Sequence, residues 1–225
     1  MQVGGRDMNQ AQGAQLQTDL AQAALCDALR QGILRDGQFV SMPQLVDLIG
    51  YPLAAVREAV KYASAQGLLT TVPKRGVQVM EARPETIRAC LDFRMVLDQE
   101  GARRRIAKGA LSGLDDLRQQ HQDMLAAAGA SDSDAQPPRA IAVDLSLHDY
   151  LSEGLENEQL ARVYGANRMR IAIIQNARPF LQVRIVSAME EHLAIIDALE
   201  QGDAEAAVQA ISDHCAQTLR WWGVA

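Results

Sequence analysis

Met189-Glu-Glu-His-Leu-Ala-Ile-Ile-Asp-Ala-Leu199 has the spacing of a helix with one apolar stripe, and its histidine lies on that stripe. His192 groups with Ile195, Ile196 and Leu199, so an imidazole faces the interior of whatever this helix packs into. Two other stretches repeat the arrangement. Asp144-Leu-Ser-Leu-His148 sets a carboxylate and an imidazole at i and i+4, on one face, with His148 beside Leu145 and Leu151. Ala210-Ile-Ser-Asp-His-Cys-Ala-Gln-Thr-Leu219 carries His214 in a third helix interior. Burying four ionisable groups is costly unless something pairs them, and a divalent metal held by Asp144, His148, His192 and His214 would do so. Three imidazoles and one carboxylate suit Zn first, then Ni, Co, Mn or Fe, and suit Ca or Mg poorly, because imidazole is a borderline donor. His121 stands among Gln and Asp residues and reads as an ordinary hydrogen-bonded core histidine.

Outward from these stretches the pattern stays helical. Helices are expected at about 84–109, 112–128, 139–154, 157–177, 183–201 and 203–222. Residues 129–138, Gly-Ala-Ser-Asp-Ser-Asp-Ala-Gln-Pro-Pro, form a loop by composition, and Pro179 breaks or kinks the chain between two long helices. The first third is different. Leu20, Ala24, Leu25, Ala28 and Leu29 recur at helical spacing, Ser41 can cap a short helix ended by Gly50, and Pro52 fits the first turn of another. Leu68 to Met80 holds two β-like runs around Pro-Lys-Arg-Gly, a hairpin. The expected fold class is mainly α: an N-terminal winged helix-turn-helix with a small β-hairpin wing, then a C-terminal all-α bundle of six to seven helices. The expected division is a flexible arm over 1–13, the winged helix over 14–80, a linker over 81–84 and the helical domain over 85–222.

Charge is uneven along the chain. Residues 1–80 hold seven Lys/Arg and six Asp/Glu, a net of +1, while residues 81–225 hold fifteen and twenty-two, a net of -7. A polyanion would therefore have to meet the first part. Three widely spaced cysteines in helical contexts argue against a disulfide framework and for buried thiols in a reducing cytosol. No apolar run is long enough to span a membrane, and the N-terminus lacks a signal-peptide core, so a cytoplasmic protein is expected.

The motifs resemble those of GntR-family transcriptional regulators, in the FadR-like branch with an FCD ligand-binding domain. The likeness runs over most of residues 15–222. It rests on Leu-Arg-x-Gly-Ile-Leu-x-Asp-Gly at 29–37, Gln-Leu-Val-x-Leu-Ile-Gly at 44–50, Val56-Arg57-Glu58-Ala59-Val60 and Arg75-Gly76. In the second part it rests on Arg94 with Glu100, Asp144-x3-His148, Asn157-x2-Leu160, Glu191-His192 followed by Ala198-Leu199 and Gly202-Asp203, and His214. The resemblance implies a homodimer that binds double-stranded operator DNA and changes its grip when a small carboxylate effector enters the bundle. It also implies that Arg94 pairs with an acidic group of that effector, the alternative being an ordinary ion pair with Asp98 at i+4. Asn176 and Arg178 are further candidates for the effector pocket.

DNA contacts are expected from Arg57 and Lys61, one turn apart on one helix face, and from Lys74, Arg75 and the Gly76 backbone in the wing. The family's recognition helix usually opens with Ser or Thr followed by Arg, where this chain has Pro52 and Leu53, and Pro43 replaces another common Arg. A metal- and carboxylate-binding protein with a weakened or retargeted DNA module is therefore the alternative. The run Arg103-Arg104-Arg105 reads as a solvated face or interface. A metal-dependent enzyme is the remaining class, and the sequence disfavours it: it has no Gly-rich phosphate loop, nucleophile elbow or His-Glu-x2-His motif.

Overall fold

A computed structural model describes residues 4–130, 136–178 and 180–225, with side chains described for 13–129, 138–178 and 180–225. Among the described residues the order is α1 (Gly4–Arg30), β1 (Phe39–Val40), α2 (Met42–Ile49), α3 (Leu53–Ala65), β2 (Leu69–Val72), β3 (Gly76–Val79), α4 (Pro84–Lys108), α5 (Leu114–Ala130), α6 (Gln136–Glu153), α7 (Glu158–Ala177), α8 (Gln182–Glu200) and α9 (Ala204–Trp221). The chain divides into two units. One ends at Ala82 and includes Ala172–Ala177; the other comprises Arg83–Ile171 and Arg178–Ala225.

In the first unit, α1 buries Ala21, Leu25, Ala28 and Leu29 and packs on α3. The α3 stripe Ala55, Val56, Ala59, Val60 and Ala63 is buried, which leaves Arg57, Glu58 and Lys61 on the opposite, exposed face. Helix α2 is held by a capping box: Ser41 accepts from the Gln44 backbone N–H, and Gln44 accepts from that of Ser41. Two orphan N–H groups are satisfied at once. Gly50 ends α2 in a left-handed conformation, its N–H donating to Val46 O. The sheet order is β1-β3-β2, with Val77 and Val79 buried on one side.

Several expectations need correction. Helix α1 begins at Gly4, so residues 4–13, expected in a flexible arm, are helical; residues 1–3 lie outside the described residues. The stretch has no proline, and the packed turns around Leu25 supply the nucleus from which a helix extends. Strand β1 adds a third strand to the expected hairpin, pairing Phe39 with Gln78 and Val40 with Val77. Pro52 is the N-cap of α3 rather than a first-turn residue. Of the expected loop at 129–138, residues 136–138 open α6 and 131–135 lie outside the described residues, as does Pro179.

The second unit is built from α4–α6, most of α7, α8 and α9. Pro84 opens α4 and a left-handed Gly109 closes it. Asp203 caps α9 by accepting from the Glu205 and Ala206 N–H groups, and Asn157 does the same for Gln159 and Leu160 at the start of α7. Two of the apolar clusters in this unit flank its polar layer. One gathers Leu117, Leu147, Leu151, Ile195, Ile196 and Leu199, and the other Met124, Ala128, Ala140, Val143, Ala188 and Met189. Arg105, expected on a solvated face or at an interface, is buried within the unit. Its guanidinium carbon lies 3.6 Å from the centre of the Tyr150 ring, and its Nε donates to Tyr150 O at 2.7 Å. Arginine's planar head can stack on a ring while its donors reach backbone carbonyls.

Candidate metal centre

The seam between the two apolar clusters is polar. On α8, His192 follows Ala188 and Met189 of one cluster and precedes Ile195 and Ile196 of the other. On α6, Asp144 and His148 stand where Ala140 and Val143 give way to Leu147 and Leu151. On α5, His121 lies between Leu117 and Met124. Helix α9, packed against α4 and α8, adds His214. The sequence-predicted set Asp144, His148, His192 and His214 is thus brought together: all four are buried, and one donor atom from each lies within 4.8 Å of the others. His192 Nε2 is 3.3 Å from His214 Nε2 and 3.6 Å from Asp144 Oδ1. Ligands placed tetrahedrally about one ion, with bonds of about 2.0–2.1 Å, sit about 3.4 Å apart.

Each ring is held from behind. His148 Nδ1 is 2.7 Å from Asp98 Oδ2, and His214 Nδ1 is 2.7 Å from Glu191 Oε2. Each Nδ1–H can donate to its carboxylate, which leaves Nε2 with its lone pair toward the shared volume. His148 Nε2 is buried there with no hydrogen-bond partner. An orphaned polar atom of this kind costs about 1–3 kcal/mol, and a metal bond would remove that penalty. The residues present therefore fit a metal. Glu191 is itself fixed by Arg184, whose Nη1 donates to Glu191 Oε1 at 2.6 Å and whose Nη2 donates to Thr218.

Electrostatics favour neutral imidazoles. Burial pushes His148 well below the usual histidine value, helped by the nearby Arg94 charge. Burial does the same to His192, with His214 and His148 adding to it. His214 is lowered by burial although Glu191 pulls the other way. Burial raises the Asp98 carboxyl to about 7 against the pull of Arg94. At Glu191 burial works upward, but the hydrogen bonds from His214 and Arg184 win and hold the carboxyl low. Neutral imidazole is the form that binds metal.

Arg94 lies in this layer, 4% exposed, with Nη2 donating to His214 Nε2 at 3.4 Å and Nε 3.9 Å from Asp98 Oδ2. Asn176 does not join it. Its exposed amide donates to the carbonyls of Leu29 and Arg30 within the first unit. Arg178 is half-buried with no hydrogen-bond partner for Nε, and no hydrogen bond or ion pair found among the described residues ties it to the cluster. Sequence reasoning missed Asp98, Glu191 and His121 as supports. The only signal was adjacency: Glu191 precedes His192, and the 100° step between neighbours on a helix turns it toward α9.

In the first unit, Arg57, Lys61, Lys74 and Arg75 are exposed. Lys61 also pairs with Glu58 at 2.7 Å, and Arg75 lies 6.0 Å from the Phe39 ring centre. Arg75 N donates to Val72 O, closing a turn with Pro73 and a left-handed Lys74 at its centre. Gly76 is required by packing, since a Cβ there would lie 2.4 Å from Val40 O.

A winged helix-turn-helix followed by a helical unit is a build used by DNA-binding regulators. Residues 89–217 match the FCD domain family. The chain belongs to the GntR family of transcriptional regulators, in the FadR-like branch with an FCD domain. It is 27% identical over 192 residues to the protein of Paenarthrobacter nicotinovorans named "Probable D-xylose utilization operon transcriptional repressor", covering 85% of this chain and 82% of that one. Its fold is similar to a GntR transcriptional regulator from Rhodococcus sp. RHA1, with a TM-score of 0.77 at 20% identity over 92% of this chain and 98% of that one. It is also similar to E. coli McbR/YncC, with a TM-score of 0.76 at 15% identity over 92% and 97%. No described helix is long and apolar enough to cross a membrane.

Proposed function

We propose that this regulator works as a homodimer whose helical unit holds one divalent transition metal, Zn before Ni, Co, Mn or Fe, and a small organic acid that alters operator binding. Asp144 and the Nε2 atoms of His148, His192 and His214 would hold the metal. The observation that carries this is the set of three imidazoles turned Nε2-inward by partners on Nδ1, one of them with its inward nitrogen buried and unpartnered. When bound, the metal supplies a positive centre that ties three helices together and can take a carboxylate oxygen.

Charge supports an anionic effector. With all three ionised, the layer's carboxylates, Asp98, Asp144 and Glu191, outnumber Arg94 and Arg184 by one, and protonation of Asp98 only makes the balance more positive. A divalent cation reverses the balance to one net positive charge, and a buried net charge favours a counter-ion. Arg94 is the side chain that would pair with an acidic group of the effector. Arg57, Lys61, Lys74 and Arg75, with the Gly76 backbone, are the groups proposed to meet DNA. The effector can shift operator binding only by its differential affinity for the two arrangements of the dimer.

Two measurements test the two halves. Equilibrium dialysis against Zn should retain about one metal per chain in the wild type and far less in His192→Ala; equal retention would remove this site as the metal's. Fluorescence anisotropy with the DNA upstream of the protein's own coding region, over a salt series, should give tighter binding than scrambled DNA. Equal binding to both would move weight to a protein with a weakened or retargeted DNA module.

A further inference from the structure

We infer that His121 is a positioning residue for the centre: a relay from Leu117 O through His121 fixes His192 in the tautomer whose Nε2 lone pair faces Asp144 and His214. This rests on the metal reading above and names a part of the site outside the four ligands.

His121 is fully buried on α5. Its Nδ1 is 2.8 Å from Leu117 O, one turn back on its own helix. A carbonyl oxygen only accepts, so the His121 hydrogen sits on Nδ1. Its Nε2 is then an acceptor, and it lies 3.1 Å from His192 Nδ1. His192 Nδ1 must therefore donate, and His192 Nε2 carries no hydrogen. That bare nitrogen is the atom 3.3 Å from His214 Nε2 and 3.6 Å from Asp144 Oδ1. The hydrogen bond made by one ring nitrogen decides which nitrogen can be metallated. A neutral histidine left to itself in water favours the hydrogen on Nε2, the wrong tautomer for this site. His148 and His214 are oriented by carboxylates. His192 is oriented by an uncharged ring, so it gains direction without adding a further negative charge to the layer.

The test uses the full chain, free of metal and labelled with 15N in its histidines. Long-range 1H–15N correlation reads which His192 ring nitrogen is protonated. In the wild type it should be Nδ1 alone. His121→Phe should move hydrogen to His192 Nε2 and weaken Zn binding about 10–100-fold, the usual effect of losing such a support. His121→Gln, which keeps a carbonyl acceptor, should recover part of both. Wild-type His192 protonated at Nε2, or His121→Phe with unchanged tautomer and unchanged Zn affinity, would overturn the relay even if the variants fold less well, since the first readout needs no variant. A wild type that binds none of Zn, Ni, Co, Mn or Fe overturns the metal reading, and the relay's purpose with it. Zn binding with the wrong tautomer overturns the relay alone.

Discussion

Gly101→Ala should damage both stability and the metal centre, although Gly101 touches no proposed ligand. A Cβ built at Gly101 would lie 2.0 Å from Leu151 O and 2.8 Å from Leu151 C. An ordinary carbon-to-oxygen contact is about 3.3 Å, so α4 and α6 must separate locally by about 1.3 Å. Asp98 stands three residues before Gly101 on α4, and His148 three before Leu151 on α6. Their hydrogen bond is 2.7 Å long, and opening by about 1 Å takes it past hydrogen-bond range. Overpacking of this kind costs about 1–3 kcal/mol, and a hydrogen bond to a charged group contributes about 1.5–3 kcal/mol. We expect a loss of about 2.5–6 kcal/mol in all, hence a Tm lower by about 5–24 °C for a chain of this size. Zn affinity should fall about 10–100-fold as His148 loses its support. Calorimetry of metal-free and Zn-loaded protein, with a chelator competition for affinity, reads both. Gly165→Ala is the matched control: its Cβ would meet nothing within 4 Å on α7, and removing a helical glycine should stabilise by about 0.5–1 kcal/mol. Gly101→Ala with wild-type Tm and wild-type Zn affinity would refute the close-approach argument.

Arg94→Ala should retain Zn in dialysis but lose at least about tenfold in affinity for a carboxylate effector; unchanged effector affinity, measured calorimetrically, removes Arg94 from the pocket. Arg57→Ala should lower the slope of log affinity against log salt by about 0.9 if Arg57 neutralises one phosphate, and an unaltered slope in anisotropy titrations would place it off the DNA. Metal-free protein should lose stability as pH falls below about 6.5. His121, His148, His192 and His214 all have depressed values when folded, so their contribution is complete above the unfolded value of about 6.5 and is lost as pH falls toward the folded values, at up to about 1.4 kcal/mol per pH unit per group. Asp98, raised to about 7, acts in the opposite sense: its contribution is complete below the unfolded carboxyl value and lost as pH rises through about 7. Urea melts from pH 5 to 8 check this, and a flat profile below 6.5 would contradict the burial of the four rings.

The sequence alone determined what depends on short-range spacing. Asp144 and His148 at i and i+4 had to share a helix face, and His192 had to point with Ile195, Ile196 and Leu199. Ser41, Gly50 and Asp203 sit at helix ends because their local chemistry satisfies or terminates backbone bonds wherever they occur. Expected helix bounds in the second part accordingly lie within a few residues of α4 to α9. Only the tertiary structure decided which groups stand behind the ligands. A hydrophobic stripe fixes a residue's direction about its own helix axis, but not which helix lies opposite or at what register. Asp98 reaches His148 because Gly101 lets α4 come against the backbone of α6. Glu191 serves His214 because α9 lies where a step of 100° from His192 points. His121 reads from the sequence as a hydrogen-bonded core residue and is one, but only the packing of α5 makes His192 its partner. Strand β1, two residues long, exists only because β3 offers it an edge, and Arg105 is buried only because Tyr150 and its carbonyl are there to receive it. Periodicity is a property of one segment, whereas hydrogen-bond partners from other helices are set by how closely the segments can pack.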